Sequence, residues 1–292
     1  MQAILKLSRW QESIPFVIPL TLLGGLMAYR FADVRLDERL LYVLLANILA
    51  VIYAFMINDI EDAEDDQKGD PERAKRNVIA SGELSKGDGW MASVGAALLA
   101  LILYTLSGAY ALYAGFIILD LGHLYSWKPI RLKALPVLDI VSHVLMLSAL
   151  LLLAAYFVYD TAPGEVWLLV VSMTLISAYG QLYNQLRDFE ADRAAGLHNT
   201  ASLLGKSLTE KVGYGVLMIA LVCLLLTILK DAFPFELLAV VLISIQIVRL
   251  AARGQDMRGD TASDAIGDLQ VQFLLSANIV LIVWLIYVYI NP

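Results

Sequence analysis

Asn58-Asp59-Ile60-Glu61-Asp62-Ala63-Glu64-Asp65-Asp66 closes one long apolar stretch of this chain, and Asn184-Gln185-Leu186-Arg187-Asp188-Phe189-Glu190-Ala191-Asp192 closes another. The two superpose as N-x-x-x-D-x-E-x-D. On a helix, a spacing of four puts the Asn and both Asp of each copy on one face. Two such faces offer at least four carboxylates able to converge. Hard cations such as Mg2+ favour that arrangement when they also hold phosphate oxygens. At a membrane surface this chemistry points to a lipid diphosphate. Either copy alone would read as a solvated, charged helix end; the duplication at matched spacing argues against that.

The chain has 292 residues, of which 59% are hydrophobic. Soluble domains run at about 45–50%, so the composition predicts an all-α, polytopic protein of the lipid bilayer. Lys6 and Arg9 precede the first apolar run as in a signal peptide, but no small-residue cleavage site follows and Pro15 and Pro19 interrupt it, which predicts a retained helix. The single cysteine, Cys223, lies in an apolar run; it provides neither a disulfide framework nor a Cys metal site. The net charge of -7 comes largely from the first acidic stretch and its surroundings. No basic or aromatic pattern suggests nucleic acid.

A membrane-spanning helix takes about 20 apolar residues, and nine candidates lie at 13–29, 40–57, 89–106, 109–124, 137–159, 166–183, 212–229, 234–252 and 271–290. The N-terminal segment and the loops after the second, fourth, sixth and eighth carry 17 of the 21 Lys and Arg residues. The positive-inside rule then makes the N-terminus cytoplasmic and the C-terminus external. Both acidic motifs emerge on the cytoplasmic face. Four spans separate them, so the chain reads as one membrane-embedded domain of two parallel pseudo-repeats, about 1–135 and 136–292. Parallel halves argue against a transporter built on inverted repeats.

The same face supplies cations. Lys68, Arg73, Lys75 and Arg76 follow the first motif and lead into Asn77-Val78-Ile79-Ala80-Ser81-Gly82. Tyr125-Ser126-Trp127-Lys128-Pro129-Ile130-Arg131-Leu132-Lys133 follows the fourth span. Basic groups beside carboxylate-bound Mg2+ would clamp a phosphate leaving group. Alone, they would satisfy the positive-inside rule or touch anionic headgroups.

With these motifs in this topology, the chain resembles the UbiA superfamily of intramembrane prenyltransferases over essentially its whole length. Asn58-Asp59-x-x-Asp62-x-x-x-Asp66 is similar to that family's first aspartate-rich motif, and Asp188-x-x-x-Asp192, preceded by Asn184, to its second. The resemblance implies a helical bundle around a central cavity, capped by cytoplasmic loops and open sideways to lipid. It implies that Asp59, Asp62, Asp66, Asp188 and Asp192 hold Mg2+, as two ions, bridging an isoprenyl diphosphate. Asn58 and Asn184 would orient metal or phosphate. Lys68, Arg73, Lys75, Arg76 and Ser81 would belong to the diphosphate-binding side. The allylic cation left in the apolar cavity would meet a lipophilic acceptor. The setting would be a prokaryotic cell membrane.

The 125–133 loop, with Tyr125, Lys128, Arg131 and Lys133, is similar to carotenoid-type members, with Lys128 where that form has a Pro. Asp139 and His143 lie one turn apart near the start of the fifth span; they suit proton acceptance after attack or an interhelical hydrogen bond. Tyr53 and Tyr179 each stand five residues before the motif Asn, where a ring face would stabilise a cation or simply pack. His123 and His198 read as structural or solvated. Two alternatives keep the acidic motifs: a membrane terpene cyclase with the same site, and a cation-binding transporter, whose carboxylates would lie deeper in the hydrocarbon. Acceptor identity, prenyl length and oligomeric state carry no signature.

Overall fold

The computed structural model describes residues 2–68, 71–194, 196–251 and 265–291, apart from the side chains of 71–73, 191, 194 and 265–268. Among the described residues every regular element is helical. In chain order these are α1 (Gln2–Leu7), α2 (Trp10–Ala32), α3 (Arg39–Lys68), α4 (Pro71–Arg76), α5 (Lys86–Ser107), α6 (Ala109–Ser126) and α7 (Leu138–Val144). A π turn, Leu145–Ala149, joins α7 to α8 (Leu150–Tyr156). Then come α9 (Trp167–Arg187), α10 (Phe189–Ala194), α11 (Thr200–Leu204), α12 (Lys206–Leu229), α13 (Leu237–Ala251) and α14 (Ala265–Ile290).

Seven helical runs among the described residues are long and apolar enough to cross a bilayer. The other two expected spans, 109–124 and 234–252, are helical as α6 and α13. They fall outside that set because α6 carries Asp120 and His123 and α13 has only 15 residues. The polar stretch from Arg253 to Gln270 lies mostly outside the described residues; from Ala265 it forms the first turns of α14.

Polar side chains tie the bundle together where lipid offers no hydrogen bonds. Pro19 has no N–H to give the Pro15 carbonyl one turn back. Asn278 of α14 donates to that carbonyl at 2.7 Å, so the freed acceptor becomes a joint between α2 and α14. At the centre, buried Asn47 donates to Thr21 at 2.9 Å and to the Leu151 carbonyl at 3.0 Å, and it accepts from Tyr104 at 2.7 Å. One amide thus satisfies partners on α2, α5 and α8, as buried polar groups require. Gly24 lets α2 and α8 touch: a Cβ there would sit 2.1 Å from the Leu152 carbonyl oxygen.

Candidate active site

The first acidic motif rides on the last turns of α3, which continues unbroken to Lys68. The 127–133 loop folds over it. Arg131 donates to Asp62 at 3.0 Å and to Asp65 at 2.8 Å, while Lys133 pairs with Asp62 and lies 3.0 Å from Asn58 Oδ1. Arg131 Nε is buried with no partner among the described residues. Ser126 also donates to Asn58, at 2.9 Å. Lys128 stands further out: its backbone N–H donates to Glu61 at 3.1 Å and its ammonium reaches Glu64 at 3.2 Å.

From the opposite side Arg9, in the left-handed region at φ 44°, lies 3.4 Å from Asp59 and pairs with Glu12 at 2.6 Å. Burial works against the Arg9 charge, but the hydrogen bond to Glu12 and the field of Asp59 outweigh it and raise its pKa. Its guanidinium also lies over the Phe55 ring, 4.9 Å from the centroid. Asn77 completes this end. Its amide donates to the Asp59 carbonyl at 2.8 Å and to the Asp66 carboxylate at 2.9 Å, and its oxygen accepts from the N–H groups of Ile79 and Ala80. Leu7, Met56, Ile57, Ile60, Val78 and Ile79 pack together beneath it.

The second motif is built differently, because helix α9 stops at Arg187 and Asp188 turns the chain into α10. Arg187 lies 3.4 Å from Asp188, and neutral groups brace the buried side. Asn199 donates to Asp192 at 3.0 Å and caps α11 by accepting from Ser202 N–H. Asp139, fully buried, accepts from Gln185 at 2.7 Å, from the Thr200 N–H at 2.6 Å and from the Thr200 hydroxyl. Gln185 accepts in turn from Ala201 at 3.0 Å. Val137, at φ 71° and ψ -47°, holds a conformation costly for a β-branched residue. Its N–H donates to Thr200 at 2.8 Å, so a strained joint between the basic loop and α7 is anchored to the second motif.

One cavity of about 1920 Å³ joins the two motifs. Asn58, Asp62 and Lys133 enter its wall from the first side and Asn184, Asp188 and Asp192 from the second. Tyr125, His143 and Tyr179 line it below. Tyr125 accepts from Gln181 at 3.0 Å, with its ring 6.2 Å from that of His143. Asp59, Asp66, Arg131 and Asp139 are not among the lining residues; Arg131 reaches the wall through Asp62. Lys68, Lys75, Arg76 and Ser81 are exposed and do not line the cavity; the side chain of Arg73 lies outside the described residues. Tyr53 turns away from the cavity to His123, with its hydroxyl 3.0 Å from Nδ1, so the expected pair of rings is not brought together.

Among the described residues no three His, Cys, Asp or Glu side chains are closely enough grouped to form a metal cage. The donor set nevertheless suits a hard cation: carboxylates and amide oxygens face one cavity from both sides, and the charge on Asp62 is balanced by the long side chains of Lys133 and Arg131. Sequence reasoning missed Arg9, Asn77, Gln185, Asn199 and Thr200. Asn199-Thr200-Ala201-Ser202 carried the one local signal, a helix-capping Asn.

A lipid-embedded helical protein with two acidic motifs facing one apolar cavity is the class defined by this geometry. Residues 17–288 match the UbiA prenyltransferase family, and the chain belongs to that family. A lycopene elongase/hydratase of Haloarcula japonica is 34% identical over 165 residues, 54% of this chain and 52% of that one. The chain thus spans about half the length of that curated relative. A UbiA homolog from Archaeoglobus fulgidus bound to GPP and Mg2+ superposes with a TM-score of 0.72 at 20% identity, covering 96% of this chain and 97% of the other. The same homolog bound to DMAPP and Mg2+ gives 0.70 at 19% identity, covering 96% and 98%.

Proposed function

We propose that the protein transfers a prenyl group from an isoprenyl diphosphate to a lipophilic acceptor within the membrane. The observation that carries this reading is that both acidic motifs open on one end of a single apolar cavity. Asp59, Asp62, Asp66, Asp188 and Asp192 are the proposed ligand set for two Mg2+ ions. When bound, Mg2+ would neutralise the diphosphate oxygens and stabilise charge on the departing pyrophosphate. Asn58 and Asn184 orient that end of the substrate. Lys133 and Arg131 exchange Asp62 for phosphate oxygens, the unpartnered Arg131 Nε supplying a further donor. Lys68, Arg73, Lys75, Arg76 and Ser81 form the outer rim.

The allylic C–O bond breaks, the electron pair leaves with pyrophosphate, and the apolar wall keeps water from the cation. Tyr179 presents an electron-rich ring face to it. An acceptor double bond attacks, a C–C bond forms, and the resulting cation loses a proton. His143, on the wall, receives that proton, while Asp139 acts as a positioning residue through Thr200 and Gln185. The named relative and the 125–133 loop favour a carotenoid-type acceptor. Nine spans in two parallel halves, the N-terminus and motifs cytoplasmic and the C-terminus external, fit the placement of both motifs at one end of the bundle.

The test is product analysis with purified protein, Mg2+, GPP or DMAPP, and a panel of lipophilic acceptors. Prenylated product that vanishes in Asp62→Ala and Asp188→Ala supports the reading. Pyrophosphate release with a cyclic hydrocarbon and no acceptor adduct would replace it with a cyclase.

A further inference from the structure

The cavity does not stop beneath the diphosphate end. Arg9 and Asp188 line one mouth, and Arg30, Asp231 and Glu236 line another. Arg9 caps α2 at its start and Arg30 lies in its last turn, 21 residues further on, a rise of about 32 Å at 1.5 Å each. That matches the hydrocarbon thickness of a bilayer, about 30 Å. The far half is walled by Leu224 and Ile228 of α12, Leu238 and Val241 of α13, and Trp284 of α14, with the Phe233 ring tilted against Trp284 at 5.9 Å. Nothing in the proposed chemistry uses this half. The whole cavity, about 1920 Å³, is roughly twice the upper end of an ordinary ligand site, about 1000 Å³.

We infer that the far half is the tail site of the acceptor. It takes a linear polyene or polyprenoid about as long as the membrane is thick, with its reacting end under the acidic motifs and its other end at the Arg30, Asp231 and Glu236 mouth. This rests on the prenyl-transfer reading. The donor is fixed by its diphosphate at the Arg9 mouth, and its methyl-terminated tail gains nothing from a charged far mouth. An acceptor whose far end carries a hydroxyl keeps that group hydrated there, since Arg30 and Glu236 border the opening and Arg30 donates to the Asp231 carbonyl at 3.2 Å. Burying the tail along apolar walls adds binding in proportion to its length, so acceptor length is what this half reads.

The test uses the full chain in lipid nanodiscs with Mg2+, GPP and two linear polyene acceptors, lycopene with its 40 carbons and a 20-carbon analogue. The wild type is expected to use lycopene with a kcat/KM at least about tenfold higher. Val241→Trp and Leu224→Trp, which narrow the far half from two helices, should collapse that ratio toward one. A wild-type ratio within about twofold, or a preference that survives both variants, would overturn the inference while leaving prenyl transfer intact. Transfer to neither acceptor, with Mg2+-dependent pyrophosphate release retained, would instead overturn the transfer reading and this inference with it.

Discussion

The two acidic motifs share a spacing but not a way of being held. The first is an ionic knot: Asp59, Asp62, Glu64 and Asp65 meet Arg9, Arg131, Lys133 and Lys128 across five charged contacts between 2.8 and 3.7 Å, together with the shorter Lys133 contact to Asp62. The second carries two ion pairs, Arg187 with Asp188 at 3.4 Å and Lys206 with Glu190 at 2.6 Å, each from one cation, and its buried side is set in neutral amides and a hydroxyl from Gln185, Asn199 and Thr200. Long cationic side chains can swing from carboxylate to phosphate at little cost, whereas a buried amide network cannot be opened without stranding donors. On the proposed function the first side would rearrange around substrate, and the second would be the rigid jaw.

The largest expected effect treats the two sides as equals. Asp62→Asn and Asp188→Asn should each lower the initial rate of product formation on the order of 100- to 1000-fold, followed by chromatography of the prenylated acceptor. A variant that kept most of its rate would break the symmetry of the pair.

Next comes stability, where the sides should part. Asp139→Ala strands the buried donors of Thr200 and Gln185 and should cost about 2–4 kcal/mol in thermal denaturation of the solubilised protein. Asp65→Ala, whose carboxylate is 38% exposed, should cost less than about 1 kcal/mol. Equal losses would mean that the first motif is as rigidly built as the second.

A third difference is sensitivity to salt. Screening weakens contacts between long cations and phosphate, so KM for the isoprenyl diphosphate should rise with ionic strength. Arg131→Gln should raise KM about tenfold at low salt and flatten that dependence. The smallest effect is expected at the rim of the rigid side: Lys206→Ala removes an exposed partner of Glu190 and should change KM by less than about threefold.

The same contrast explains what the sequence revealed. The seven helices long and apolar enough to span a bilayer among the described residues, and the carboxylates at the ends of α3 and α9, follow from hydropathy and a spacing of four, both of which are local. Arg131 and Lys133 were readable as a short basic loop on the same face, expected on phosphate, whereas the structure pairs them with Asp62. Asp139 was legible as a polar residue in an apolar helix, but its partners Gln185 and Thr200 are 46 and 61 residues away, a pairing no local pattern encodes. Arg9 was counted only as an orienting charge, although chain reversal at a left-handed residue carries it under Asp59. Tyr53 and Tyr179 occupy matched places in the motifs yet face different surroundings, because the α3 copy meets His123 of α6 while the α9 copy faces the cavity.

The central claim is that the two motifs grip one diphosphate jointly. It is tested most directly by Mg2+-dependent binding of an unreactive thio analogue of an isoprenyl diphosphate to the wild type, Asp62→Asn, Asp188→Asn and the double variant. Joint grip predicts strong non-additivity, each single substitution removing nearly all the affinity that the double one removes. Additive losses, or full binding in either single variant, would contradict it.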